Sequence, residues 1–279
     1  MNMQPEKLII FDYSGTLSLE SAFFARPDNL MKRLEESGLK DLGIDSPGIF
    51  WEEIVNATWT EGSTTSAGYK KVMEKRISDL LHKSASIVPR ARISTAVSFF
   101  VDSYLSHSTI DSRWEHVLQK LNEPPSARVI IATDHYAEAT GYIINFLTEF
   151  NVRAAAAKEA FLNPSEASFI VANSADMGAY KADPQFWEIL KTGLKLEAIR
   201  NILIIDDFGC NEQKGDSYGE RQKVEMRKLE TVRMLKTVFP AEVSAVPFMV
   251  EDNSQGKEEA FGNLIKETAV IIDRFLISG

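Results

Sequence analysis

Acidic, hydroxyl and lysine side chains recur in this sequence at the ends of short apolar runs or soon after them. Asp12 follows "KLIIF", Thr133 closes "RVIIAT", Lys181 lies in "GAYKADP", and Asp206 and Asp207 fall in "NILIIDD". Carboxylate, carbonyl and water oxygens bind a hard cation such as Mg²⁺. A lysine and a hydroxyl bind an anion, and a metal-shielded carboxylate facing a bound phosphate can act as a nucleophile. The set therefore predicts metal-assisted chemistry on a phosphate-like anion.

The apolar runs predict the elements that would position these side chains. Continuous Ile, Val and Leu residues are typical of strands buried on both faces, with helices between them. The sequence predicts four such strands, at residues 7–11, 128–133, 168–172 and 201–206, and helices at 137–150 and 184–195. The carboxyl ends of parallel strands share one edge, where open α/β sheets bind ligands. We therefore expect an α/β fold that brings the polar residues together.

A long segment after the first strand breaks the alternation. Residues 19–116 contain almost no strand-like run, and helical patterns cover 27–38, 67–83 and 91–107. An insertion at this point would lie over the carboxyl ends of the strands. We expect an α/β core of residues 1–18 and 117–279 and an inserted all-helical domain of residues 19–116.

The chain from residue 219 onwards reads as helix, strand and helix. In the first of these helices, Met226, Leu229, Val232 and Leu235 are predicted to form its apolar stripe.

Composition limits the classes of partner. The 279 residues are 44% hydrophobic and 25% charged, with a formal net charge of -9, and a non-specific nucleic-acid binder would carry the opposite charge. The single cysteine, Cys210, allows no intrachain disulfide and fits a reducing cytoplasm. We read no signal peptide and no apolar run near the ~18 residues of a membrane span. The expectation is a cytoplasmic protein without nucleic-acid or membrane partners; its oligomeric state is open.

Four motifs, taken in order, resemble those of the haloacid dehalogenase-like hydrolase superfamily. "DYSGT" matches that family's Asp-any-Asp-Gly-Thr motif except at the second Asp, and Thr133 matches its Ser or Thr after the second strand. "GAYKADP" matches a Lys-Pro-Asp-Pro segment except at the first Pro, and "DDFGCN" matches the late acidic motif. The resemblance implies a Rossmann-like, three-layer parallel-sheet core with an inserted helical cap.

The resemblance also implies roles for residues at the phosphate. Asp12 would be the nucleophile, and Thr133 and Lys181 would hold the phosphoryl group. Thr16 and Asp134, next to these motif positions, belong to the expected substrate-binding set.

The metal set follows from the same resemblance. Mg²⁺ would be held by Asp12, by the main-chain carbonyl of Ser14 and by the acidic pair. Asp207 is the expected direct ligand, with Asp206 beside it and Asn211 in support.

Ser14 departs from the family's phosphatases, in which the second Asp acts as acid and base. Such help is worth about 10²- to 10⁴-fold, and a serine hydroxyl is too weak an acid to replace it. The protein could be a slow phosphatase, or one for substrates with good leaving groups. Another residue could supply the proton: a cap residue, Asp134, or His135, which is otherwise expected at the surface or in a loop. The reaction could also need no acid.

The expected function is a Mg²⁺-dependent phosphatase that acts on a small phosphorylated metabolite through a phospho-aspartate at Asp12. The alternatives are a phosphonate or other carbon-bond hydrolase of the same superfamily, and a non-catalytic phosphate-binding protein on this fold.

Overall fold

The computed structural model describes residues 5–83, 87–122, 127–163, 168–211, 221–250 and 257–278. Six strands form one sheet: β1 (Lys7–Phe11), β2 (Arg128–Thr133), β3 (Ala154–Ala156), β4 (Phe169–Asn173), β5 (Asn201–Asp206) and β6 (Glu242–Pro247). Their order across the sheet is β3-β4-β2-β1-β5-β6, and every neighbouring pair is parallel. The four predicted strands are confirmed to within one residue at each end. β1 lies at the centre, between the strands that end at Thr133 and Asp206.

The central strands are apolar on both faces because both faces are covered. In β1, Ile9 and Phe11 belong to one hydrophobic cluster, and Leu8 and Ile10 belong to the other. Alternation of side chains along a strand assigns neighbouring residues to opposite faces of the sheet. The result is a three-layer α/β, Rossmann-like core.

The helices between β1 and β2 come first in the chain. They are α1 (Glu20–Phe24), α2 (Pro27–Glu36), α3 (Pro47–Ile49), α4 (Asn56–Ser63), α5 (Tyr69–Lys83), α6 (Arg90–His107) and α7 (Glu115–Asn122). A π-helical turn, Phe50–Val55, joins α3 to α4. Within the described parts of residues 19–116 the structure has helices and turns and no strand.

The remaining helices flank the sheet. They are α8 (Ala139–Glu149), α9 (Ala157–Leu162), α10 (Ser174–Met177), α11 (Pro184–Gly193), α12 (Arg221–Val238) and α13 (Lys257–Ile277). The predicted apolar stripe of α12 is wrong in its first half, because Met226 and Leu229 are exposed. The buried face of α12 is formed by Val224, Leu235 and Val238. No helix among the described residues is both long enough and apolar enough to cross a membrane.

The inserted helices pack on the sheet face that carries Ile9 and Phe11, in one continuous hydrophobic cluster. Trp114, just before α7, contacts the Phe11 ring edge to face at 5.7 Å between ring centroids. Its indole Nε1 donates to the main-chain oxygen of Thr16, 3.1 Å away. The turn after β1 is therefore anchored from the insertion side.

The core also fixes the N-terminus of α5. The Glu138 carboxylate, beside the start of α8, accepts hydrogen bonds from the main-chain nitrogens of Tyr69 (2.7 Å) and Lys70 (3.2 Å). A carboxylate is favoured at a helix N-terminus because the amide groups there have no partner within the helix.

Candidate active site at the carboxyl ends of the strands

Three buried carboxylates meet where β1 and β5 end. Phe11 pairs with Ile205, and the Asp12 amide donates to the Ile205 carbonyl at 2.9 Å, so Asp12 lies beside the end of β5. One oxygen from each of Asp12, Asp206 and Asp207 falls within 4.8 Å of the others. The three residues, here called the carboxylate cluster, are 6%, 7% and 2% exposed.

Lys181 is a cation that contacts this cluster. Its Nζ donates to Asp12 Oδ1 and, at 3.3 Å, to Asp206 Oδ2. Burial alone would lower the pKa of the ammonium group, but the negative charges of Asp12, Asp206 and Asp134 raise it well above its ordinary value. Lys181 is therefore protonated at neutral pH and holds its proton firmly.

The segment that carries Lys181 is held from two sides. The Lys181 amide donates to Asp134 Oδ1 at 2.8 Å, and the indole Nε1 of Trp187 donates to the Lys181 carbonyl at 2.8 Å. Trp187 is buried in α11, and Asp134 follows β2. The lysine is thus positioned by groups from two different elements of the core.

The charges fit a hard cation. Among the described residues, the three carboxyl groups of the cluster lie within 4.8 Å of one another, and the Lys181 ammonium contacts two of them. Like charges this close in a buried place are costly unless positive charge offsets them. Carboxylates are the protein ligands that Mg²⁺ and Ca²⁺ prefer. The residues present can therefore hold a divalent cation.

The loop after β5 is tied to the turn after β1. Asp207 accepts from the amides of Gly209 (2.9 Å) and Asn211 (2.8 Å), and its own amide donates to Thr16 Oγ1 at 3.0 Å. Asn211 Nδ2 donates to the Gly15 carbonyl at 2.7 Å. Gly15 has φ +78° and a Cβ there would overlap the Asp207 carboxylate, so only glycine allows this approach.

Thr133 and Asp134 lie next to the cluster along the edge. Thr133 is the buried last residue of β2. Burial raises the pKa of the Asp134 carboxyl, although Lys181 opposes the shift. The structure thus places Thr133 at the end of the strand that pairs with β1, and it joins Asp134 to the main chain of Lys181.

Ser14 does not point its proton at the cluster. Its Oγ lies 2.9 Å from Ser21 Oγ, and Ser21 Oγ donates to the Ser18 carbonyl at 3.0 Å. A hydroxyl has one hydrogen, so Ser14 is the donor in the first of these bonds. Ser21 belongs to α1, and the pair links the turn after β1 to the first inserted helix.

The interpretation of His135 as a surface or loop histidine is wrong in its burial. The residue is 5% exposed, and burial lowers the pKa of its imidazole to about 4. Nδ1 accepts from the Tyr136 amide at 2.9 Å, and Nε2 lies 3.0 Å from the Tyr104 hydroxyl. The ring is therefore neutral at pH 7, with its hydrogen on Nε2.

Asn173, which closes β4, is a structural residue that the sequence reasoning missed. It is fully buried. Its Oδ1 accepts from the His135 amide (3.1 Å), and its Nδ2 donates to the Tyr136 carbonyl (2.9 Å) and to Thr140 Oγ1 (3.2 Å). An asparagine closing the run "FIVAN" was the available signal. We call Tyr104, His135, Tyr136 and Asn173 the histidine cluster.

Comparisons with known proteins identify no family for this chain. No model of a known protein family matches the chain, and no curated protein matches it. One similar solved structure is a HAD family enzyme from Bacteroides thetaiotaomicron, an aspartate-to-alanine mutant in complex with magnesium and inorganic phosphate. It is 12% identical with a TM-score of 0.42, over 87% of this chain and 94% of that chain. A likeness this distant carries no information about chemistry.

Proposed function

We propose that this protein is a Mg²⁺-dependent hydrolase of the haloacid dehalogenase-like type that acts on a small phosphorylated molecule. The observation that carries the proposal is the meeting of Asp12, Asp206 and Asp207 with Lys181 at the carboxyl ends of parallel strands. Buried titratable groups with a strongly perturbed member are typical of functional sites. The order of the four sequence motifs supports the same reading.

In the proposed reaction, Asp12 attacks phosphorus and the bond from phosphorus to the leaving oxygen breaks. The product is a phospho-aspartate, and water then releases orthophosphate from it. Lys181 and the Thr133 hydroxyl would hold the phosphoryl oxygens. We place Thr16 and Asp134 in the surrounding shell, because Thr16 accepts from the Asp207 amide and Asp134 accepts from the Lys181 amide.

Asp12, Asp207 and the Ser14 carbonyl would hold Mg²⁺, with Asp206 beside them. When bound, the ion would offset the charge of the cluster and of the phosphate. Lys181 would remain a second positive charge for the phosphoryl group, since its pKa is raised well above the ordinary value by the same carboxylates, against the effect of burial.

We further propose that residues 19–116 form the cap over a core of residues 1–18 and 117–279. The inserted helices share one hydrophobic cluster with the sheet, and α1 reaches the turn after β1 through Ser21. A cytoplasmic location, with no nucleic-acid or membrane partner, is proposed from the acidic composition and the single cysteine.

The test is turnover of p-nitrophenyl phosphate and acetyl phosphate, with and without Mg²⁺, by the parent and the Asp12→Asn variant. Asp45→Asn is the matched control, because Asp45 is exposed and lies outside the cluster. The proposal expects Mg²⁺-dependent turnover by the parent and by Asp45→Asn and none by Asp12→Asn. Silence of the folded parent towards both compounds would reject the phosphatase and direct the search to carbon-bond substrates or to binding.

A further inference from the structure

We infer that the natural substrate carries its phosphate on a weakly basic oxygen, as acyl, enol and aryl phosphates do, and not on a simple alcohol. The inference rests on the proposed function and concerns the leaving group alone. It follows from how the proton-bearing side chains near Asp12 are bonded in the part of the chain that the structure describes.

The chemistry sets the requirement. When Asp12 displaces an alcohol from phosphorus, the bridging oxygen departs with the bonding electron pair as a strongly basic alkoxide unless an acid protonates it. A carboxylate, enolate or phenolate departs as a stable anion and needs no proton. A positioned acid is worth about 10²- to 10⁴-fold for a basic leaving group and far less for a stable anion.

Ser14 is not that acid. Its proton is donated to Ser21 Oγ, 2.9 Å away, and Ser21 in turn donates to the Ser18 carbonyl. The hydroxyl is therefore engaged with α1, and it is an intrinsically weak acid.

His135 is not that acid either. At neutral pH its buried imidazole carries one proton, because burial lowers the pKa to about 4. That proton lies on Nε2 and faces the Tyr104 oxygen at 3.0 Å, while Nδ1 is occupied by the Tyr136 amide at 2.9 Å. Both ring nitrogens are engaged within the histidine cluster.

Among the described residues, Lys181 and Asp134 are the other candidates beside the cluster. Lys181 donates to Asp12 and Asp206, so its ammonium hydrogens are directed at the carboxylates and held there by ion pairs. Asp134 is oriented as an acceptor, since its Oδ1 takes the Lys181 amide at 2.8 Å. Burial nevertheless raises the pKa of Asp134. This residue is therefore the alternative proton donor, and the Asp134→Asn variant tests it.

The experiment measures kcat/KM with Mg²⁺ for acetyl phosphate, p-nitrophenyl phosphate, phenyl phosphate and glycerol phosphate. The proteins are the parent, Ser14→Asp, Ser14→Asn and Asp134→Asn; Ser14→Asn matches the aspartate in shape and lacks its acid. The decisive quantity is kcat/KM for acetyl phosphate divided by kcat/KM for glycerol phosphate. We expect this ratio to be about 10²- to 10⁴-fold larger in the parent than in Ser14→Asp. In Ser14→Asn and Asp134→Asn this ratio should be as large as in the parent.

Two results would overturn the inference about the leaving group but would still agree with the proposed phosphatase activity. One is a parent that hydrolyses glycerol phosphate nearly as fast as acetyl phosphate. The other is a ratio that is larger in Asp134→Asn than in the parent, because Asp134 would then be the acid. A parent inactive on every compound rejects the proposed function, and the inference with it. The parent's own ratio decides the matter even if Ser14→Asp does not fold.

Discussion

Two polar clusters lie side by side at the carboxyl ends of the strands, and they differ in charge. The carboxylate cluster has three buried acids, and among the described residues the Lys181 ammonium group contacts two of them. The histidine cluster is neutral, and its imidazole and amide groups are bonded to one another and to the neighbouring main chain. A group of buried titratable side chains around one strongly perturbed member indicates a candidate ligand site, whereas a neutral bonded network indicates a structural support.

Mutations in the two clusters should therefore differ in whether they affect activity or folding, although the residues lie close together. Changes in the carboxylate cluster should affect turnover and metal binding more than folding. Changes in the histidine cluster should affect folding first, because its groups would be left buried without partners.

The largest expected effect is on turnover, in Lys181→Met. Loss of the ammonium that contacts Asp12 should reduce kcat by about 10²- to 10³-fold, the range found for removal of one charge-stabilising donor. Steady-state kinetics with acetyl phosphate measure it, and Lys158→Met, at an exposed position, is the control. Equal kcat in the two variants would show that Lys181 does not stabilise the phosphoryl group during the reaction.

The next effect is on stability, in Asn173→Ala. The His135 amide, the Tyr136 carbonyl and Thr140 Oγ1 would lose their partner in the core, which should lower the free energy of unfolding by about 3 kcal/mol. Urea denaturation measures the change. The control is Asn201→Ala, because Asn201 at the start of β5 is partly exposed. A similar loss of unfolding free energy in both variants would show that Asn173 has no special role in stability.

His135 predicts a pH dependence of stability. Its folded pKa of about 4 lies below its ordinary value of 6.5, so the unfolded chain binds more protons between these pH values. The stabilisation is fully present above pH 6.5 and is lost as the pH falls towards 4. Between pH 7 and pH 5 the contribution should fall by about 2 kcal/mol.

The test of this pH dependence compares the parent with His135→Gln, whose side chain stays neutral and polar. The parent should lose about 2 kcal/mol more than His135→Gln between pH 7 and pH 5. His116→Gln, at an exposed site, should behave as the parent. Equal slopes for parent and His135→Gln would mean that the imidazole is not held neutral by the fold.

The smallest effect concerns the contact between Glu138 and α5. Glu138→Ala removes the acceptor for the amides of Tyr69 and Lys70 and should lower the free energy of unfolding by about 1 kcal/mol. Thermal unfolding measures it, with Glu159→Ala on the exposed side of α9 as control. No difference between the two variants would show that this contact does not help to hold α5.

The sequence was most informative where one local pattern decides the structure. Continuous apolar runs predicted the four strands, and the polar residues at their ends are brought together because parallel strands end on one edge. β3 is only three alanines long, which is a weak signal without its neighbour β4. The hydrophobic spacing of α12 pointed to Met226 and Leu229, but only the second half of that face meets the core.

What the sequence could not supply depends on partners distant in the chain. His135 was expected at the surface or in a loop; it lies in the loop after β2, but it is buried, with Nε2 3.0 Å from the Tyr104 hydroxyl. Glu138 and Asn173 bond to groups that local periodicity does not connect to them. The direction of the Ser14 proton needed the position of Ser21 in the folded chain.

The most direct measurement of the central claim is a search for a phosphorylated intermediate. The parent is mixed with acetyl phosphate and Mg²⁺, quenched in acid and digested, and the peptide that contains residue 12 is analysed by mass spectrometry. The account predicts an alkali-labile phosphate on Asp12 that is absent with a metal chelator and absent in Asp12→Asn. Turnover of acetyl phosphate with no phosphate on Asp12, or with the same label in Asp12→Asn, would contradict it.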